Sequence, residues 1–198
     1  AELPVRYGAG PWFLRRDMPL SHSRRGQGIA RPAVGARHKI ERWRPDMIDI
    51  QHRIGVRAPI GAVYRALATP EGLAHWWTEA VHGEARPGGR IDFRFQAPDG
   101  TYVGEIAMEV IELAEGQRVR WRCVAGPAEW IGTEIRFELL RQDGLTIVRF
   151  GHLGWTEAVE FTAHCSMKWA TFLLSLRDYV ETGRGRPAPG DLKIDNWN

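Results

Sequence analysis

The chain is predicted to be an α+β protein in which an antiparallel sheet of six or seven strands wraps around one long C-terminal helix. Three features carry that expectation. Residues 156–181 hold an amphipathic helical stretch, the segments between residues 48 and 152 alternate apolar and polar side chains, and turn-forming sequences separate those segments. In the helical stretch, counted at 100° per residue, Phe161, Cys165, Trp169, Phe172, Leu176 and Tyr179 fall in one apolar stripe. Glu157, Ala163, Ala170, Arg177 and Glu181 lie off it, and Gly183 can take the positive φ that ends a helix. So bulky a stripe requires a broad apolar surface opposite, and the strands supply one.

The first strand is read at Ile48, Ile50, His52, Ile54 and Val56, which alternate with Asp49, Gln51, Arg53 and Gly55. Ala58-Pro59 closes it and opens a short helix with Ile60, Val63, Tyr64 and Leu67 on one side. A second short helix follows, with Thr69 as N-cap, Pro70 at the first helical position and Leu73, Trp76 and Trp77 giving it an aromatic end. Further strands carry Ile91, Phe93 and Phe95, then Tyr102, Ile106, Met108 and Val110, then Val119, Trp121 and Cys123 on their inner faces. Two more carry Thr133, Ile135, Phe137 and Leu139, and Val148, Phe150 and His152. Pro98-Asp99-Gly100, Glu115-Gly116 and Gln142-Asp143-Gly144 supply the turns. Arginines and glutamates alternate on the outer faces, where they can pair across neighbouring strands. An antiparallel sheet with one charged face must cover the other, and the long terminal helix is the element large enough to do so.

Charge divides the chain in two. Residues 1–46 hold ten basic residues against four acidic ones, whereas the remainder holds 17 against 20. The overall charge of +3 therefore says little about partners of the patterned region. Glycine and proline recur through residues 1–46 without a sustained apolar period, so a disordered basic leader is expected there, with the folded domain spanning 47–198 and Met47 as a candidate natural start. Prolines 4, 11, 19, 32 and 45 break any amphipathic targeting helix, and no apolar core of a secretory signal is present in that segment. No apolar run reaches membrane-spanning length, and Cys123 and Cys165 lack CxxC spacing. A water-soluble, cytoplasmic protein with reduced, buried thiols is expected, without a membrane or nucleic-acid partner.

The order of elements and the segments TPEGLAHWWT (69–78), PGGRIDFRF (87–95), EWIGTEIRFEL (129–139) and GW…HCSMKWATFLLSL (154–176) resemble the family named for the C-terminal domain of the activator of the heat-shock-protein ATPase. That family lies in the START-like (SRPBCC) superfamily. The resemblance covers about residues 47–194 and implies a helix-grip fold with a cavity between sheet and helix, used by various members for apolar ligands. It does not imply one chemistry, because the superfamily hosts carriers, cyclases, hydrolases and co-chaperones.

On this reading Trp77, Phe93, Phe95, Tyr102, Met108, Trp121, Trp130, His152, Phe161, Cys165, Trp169 and Phe172 are the candidate ligand-binding residues. The competing reading of the same aromatic residues is a filled core. His52, His152 and His164 are candidates for an acid or base in the enzymatic alternative, a cyclase-like or hydrolase-like activity. No nucleophile motif, phosphate-binding glycine loop or metal-ligand spacing accompanies them, so neither a catalytic residue nor a metal or other cofactor is assigned. Lys168, one of three lysines, sits near the stripe, and its stem is expected to pack while its ammonium reaches water. The remaining alternative is a co-chaperone-like interaction module, with a homodimer or a chaperone as partner.

Overall fold

A computed structural model describes residues 48–197, and the expectations for residues 1–46 and Met47 lie outside them. Strand β1 (Ile48–Val56) is followed by helices α1 (Ile60–Ala68) and α2 (Pro70–Ala74). Six strands follow: β2 (Ala80–Gly83), β3 (Arg90–Gln96), β4 (Tyr102–Ala114), β5 (Arg118–Ala125), β6 (Glu134–Gln142) and β7 (Leu145–Trp155). Helix α3 (Glu160–Thr182) comes last. The sheet has the order β1-β7-β6-β5-β4-β3-β2, with every neighbouring pair antiparallel. Consecutive strands from β2 to β7 therefore form a meander. The connection through α1 and α2 carries the chain from one sheet edge to the other. This is the α+β helix-grip architecture.

Four local features depart from expectation. Strand β2 was not anticipated, because Ala80–Gly83 is short and lacks an alternating apolar pattern; it forms by pairing Val81 with Phe93 on β3. Trp76 and Trp77 lie beyond α2 rather than in it. Thr69 does cap that helix, its hydroxyl accepting from Gly72 N at 3.0 Å, but the helix stops after five residues. Helix α3 begins at Glu160 instead of Thr156, since the N–H of Val159 is satisfied by the Thr162 hydroxyl at 3.3 Å. Tyr102 is exposed, contrary to its expected inward orientation. A register shift between Phe95 and Gln96 breaks the alternation at the start of β4, so that Val103 is buried and Tyr102 faces outward.

The rest of the inner face is as patterned. Phe93, Trp121, Ile135 and Phe150 are buried under α3, from which Cys165, Trp169, Phe172 and Leu176 are buried in turn. The outer face carries ion pairs between strands, including Arg120 with Glu134 at 2.7 Å and with Glu112 at 3.2 Å. The hydrogen bond from Arg120, together with Arg118, holds the Glu112 carboxyl below the usual range. These side chains are only partly buried and stay in contact with solvent, so the network contributes more to solubility and register than to stability. Cys123 and Cys165 are both buried free thiols.

Helix α3 also buries a second face, under the segment 184–197 that follows it. Gly183, at φ +80°, reverses the chain and donates to Tyr179 O at 2.8 Å. The returning chain is anchored by Arg186 N donating to Ser175 Oγ at 2.7 Å. Ala188 N donates to Trp77 O at 2.9 Å, and Glu79 N donates to Ala188 O at 3.1 Å. Further along, His164 Nδ1 donates to Asp195 at 2.6 Å, and Lys168 pairs with Asp191 and with the carbonyl of Leu192. This strap explains why His164, Lys168 and Ser175, all outside the apolar stripe, are buried.

Candidate functional site

Between the first turns of α3, strands β3 and β4, and the loop 126–132 lies a narrow cleft of about 30 Å³. It is lined by Trp77, Phe95, Ile106, Pro127, Trp130, Phe161, Cys165, Lys168, Trp169 and Phe172. The elements place these groups for simple reasons. Cys165, Trp169 and Phe172 recur at helical spacing on the sheet side of α3, and Phe95 and Ile106 face them from neighbouring strands. Trp77 enters from the turn after α2, with its ring 4.9 Å from that of Trp169 and 4.2 Å from that of Phe93. Trp130 stacks on Trp169 from the other side at 5.9 Å. Its loop is bounded by Gly126 and Gly132, at φ +143° and +85°.

Seven of the twelve candidate residues line this cleft: Trp77, Phe95, Trp130, Phe161, Cys165, Trp169 and Phe172. Phe93, Met108 and Trp121 are fully buried beside it as core, and Tyr102 is on the surface. Ile106 and Pro127 complete the wall although neither was a candidate; Ile106 carried an inward-facing signal, while Pro127 carried none. The cleft has room for roughly two water molecules, against several hundred Å³ in a typical ligand pocket. Packing dominates the site in this conformation.

His152, the remaining candidate, does not line the cleft but packs against two of its walls, Trp130 and Trp169. His152, wholly buried on β7, takes the proton on Nε2 and donates to Thr133 Oγ1 at 2.8 Å, because the Thr133 hydroxyl itself donates to Trp130 O at 2.6 Å. Nδ1 then accepts from Trp169 Nε1 at 3.1 Å. Burial pushes the imidazole pKa down to about 3, and every ring nitrogen already has a partner. The ring positions Trp169 and has no lone pair or proton left for acid–base work. His52, half-buried on β1, donates to the carbonyl of Ser166 at 3.0 Å, and His164 is turned toward the strap. The three histidines are therefore not gathered into one site. Among the described residues, no cluster of three or more His, Cys, Asp or Glu side chains could hold a metal ion.

Lys168 departs from the expected snorkelling arrangement. It is 2% exposed, its ammonium lies 5.0 Å from the centre of the Phe172 ring, and its charge is balanced by Asp191 of the strap. Burial lowers its pKa, an effect that Asp191 opposes. Helical periodicity does not encode this burial, because the covering strap belongs to a later segment of the chain. Burial pushes the Cys165 thiol up, out of the range in which it would be nucleophilic, and pushes Cys123 up to about 12.

The six-stranded meander β2–β7, extended at its β7 edge by β1 and gripping α3, defines a helix-grip protein of the START-like class. The family model described as Activator of Hsp90 ATPase homolog 1-like protein matches residues 57–181, and the chain belongs to that family. A solved dimer of Aha1 from Colwellia psychrerythraea is similar at 40% identity and a TM-score of 0.59, covering 70% of this chain and 99% of that one. Proteins of Chromobacterium violaceum (23% identity, TM-score 0.57, 69% and 98% covered) and Staphylococcus saprophyticus (18%, 0.56, 71% and 98%) share the fold. No curated protein matches the sequence. No helix among the described residues is long and apolar enough to cross a membrane.

Proposed function

We propose that the protein binds a hydrophobic or aromatic small molecule beneath α3, in the cleft walled by Trp77, Trp130, Trp169, Phe95 and Phe172. One observation carries this reading: the gap in the packing falls between the helix, the sheet and a glycine-bounded loop, and its walls are aromatic. Occupancy requires the loop 126–132 and the half-buried Phe161 to move outward, since the cleft as it stands is too small for a ring. Both lie at the outer end of the site, where fewer contacts must be broken than in the Trp121–Phe137 core. Among the described residues no metal cluster lies at the site, and burial pushes the Cys165 thiol up, away from nucleophilic chemistry, which favours binding over catalysis. The free thiols accord with a cytoplasmic location.

Indole is a suitable uncharged probe. At ten times its Kd it should stabilise the folded state by about 1.4 kcal/mol, roughly 3–6 °C in melting temperature for a domain of this size. Absence of any saturable shift across a panel of such probes would remove the reading.

Self-association is a second reading, favoured by the dimeric relative at 40% identity. Met167 and Leu174, seven residues apart on the outward side of α3, are exposed and offer an apolar contact for a second copy. Sedimentation should show a dimer that Met167→Glu dissociates; a monomer at all accessible concentrations would exclude it. The family description also makes a chaperone a candidate partner.

A further inference from the structure

The outward side of α3 carries a second stripe, opposite the one that faces the sheet. Ala163, Met167, Ala170 and Leu174 follow one another at spacings of four, three and four residues, the repeat that keeps one seam of a helix turned toward a partner helix. At 100° per residue they fall within about 60° of one another, on the side away from Cys165, Trp169 and Phe172. Ala163, Met167 and Leu174 are exposed and Ala170 is half-buried. The flanking faces of the helix are already covered. The strap holds one through Asp191 and Asp195, and β1 holds the other, where His52 donates to Ser166 O at 3.0 Å.

Charge marks the two ends of this seam. Glu160, three residues before Ala163, is exposed. Arg177, three residues after Leu174, meets Asp178 of its own helix at 3.6 Å and keeps 40% of its side chain exposed. Along the helix the order is therefore acid, small, large, small, large, base, which is complementary to its own reverse. We infer that two copies of the chain meet along this seam with their α3 helices antiparallel about a two-fold axis. The inference rests on the self-association reading above and gives it an orientation and a register. Glu160 of one copy lies opposite Arg177 of the other, Ala163 opposite Leu174, and Met167 opposite Ala170, and the two-fold repeats each pairing. Each large side chain is met by an alanine, so the helix axes can approach to the short end of the usual range of about 8–10 Å. A parallel arrangement would set Glu160 against Glu160 and leave alanine facing alanine.

Cysteine pairing in the full chain tests the register. The Ala163→Cys/Leu174→Cys double variant should give a covalent dimer on mild oxidation, because each new thiol faces its counterpart within the Cα separation of about 4–7 Å that a disulfide spans. Neither single variant should do so, since equivalent residues of the two copies lie about 16 Å apart along the axis. The wild type supplies the background, its Cys123 and Cys165 being buried. Sedimentation gives an independent measure, with the fold of each variant verified by its melting temperature. Glu160→Arg and Arg177→Glu should each weaken the dimer about tenfold, as the two-fold makes every change count twice, and the combined variant should recover most of the wild-type affinity. Covalent dimers from either single variant, no cross-link in the double variant of a protein that sediments as a dimer, or charge reversals that add instead of cancelling would overturn the antiparallel seam and leave self-association standing. A wild-type chain that stays monomeric at all accessible concentrations would remove both.

Discussion

Trp169→Ala should destabilise the protein by about 3–5 kcal/mol. The indole is 2% exposed and is clamped by three aromatic rings, with Phe150 at 4.6 Å, Trp77 at 4.9 Å and Trp130 at 5.9 Å. Truncation removes that burial and also strips His152 Nδ1 of its donor, leaving a buried acceptor unpaired. Trp169→Phe separates the two effects. It keeps most of the ring volume and loses the hydrogen bond, so it should cost roughly 1–3 kcal/mol. Denaturant unfolding of both variants measures the difference. A loss below about 1 kcal/mol for the alanine variant would mean that Trp169 belongs to a yielding wall and not to the core. The alanine variant should also accept apolar probes more readily, because the deleted ring enlarges the cleft.

The second large effect is a stability loss on acidification that arises from His152. In the folded state its pKa lies at about 3, as burial disfavours the charged ring, whereas in the unfolded chain it returns to the ordinary value of 6.5. Between those values the unfolded state binds a proton that the folded state does not, so stability falls as the pH falls from 6.5 toward 3. Above 6.5 the ring is neutral in both states and contributes no slope. Within the window the decline should approach about 1.4 kcal/mol per pH unit, the value for one proton. His152→Gln can still accept from Trp169 and donate to Thr133, and it does not titrate. Its unfolding free energy should therefore change less steeply between pH 6.5 and 4 than that of the wild type. Parallel slopes would place the acid sensitivity elsewhere. A candidate then is Asp195, whose carboxyl, despite a rise from burial, is held low by His164.

What could be read from the sequence followed from periodicity. Alternation over Ile48–Val56, Ile91–Phe95, Val119–Cys123 and Ile135–Leu139 places the strands and their inner faces, because a half-buried strand leaves a period-two record in its composition. The 100° stripe from Cys165 to Leu176 does the same for α3. The parts that were not legible depend on partners distant in sequence. Val81 joins the sheet through β3, Tyr102 is turned outward by a register shift, and Trp76 is held outside a helix by its Nε1–H donating to Ala66 O at 2.9 Å. The strap is the clearest case. Asp191 and Asp195 look like solvated acids in a short polar tail until the fold sets them against Lys168 and His164. The candidate site was legible as a cluster of aromatic residues. Which of them leave a gap, and how small that gap is, depends on side-chain packing that no periodic pattern encodes.

The central claim is that a small apolar molecule enters beneath α3 at the gap between Trp130, Trp169 and Phe161. Nuclear magnetic resonance during titration with indole tests it most directly, because the tryptophan side-chain N–H signals report from known depths. The Trp130 signal should shift in a saturable manner, together with backbone amides of Phe161, Cys165 and the loop 126–132. The Trp76 signal, from a residue outside the cleft whose N–H is bonded to Ala66, should stay in place. Shifts confined to the exposed residues Tyr102, Met167 and Leu192, or no saturable shift at all, would contradict a ligand site beneath the helix.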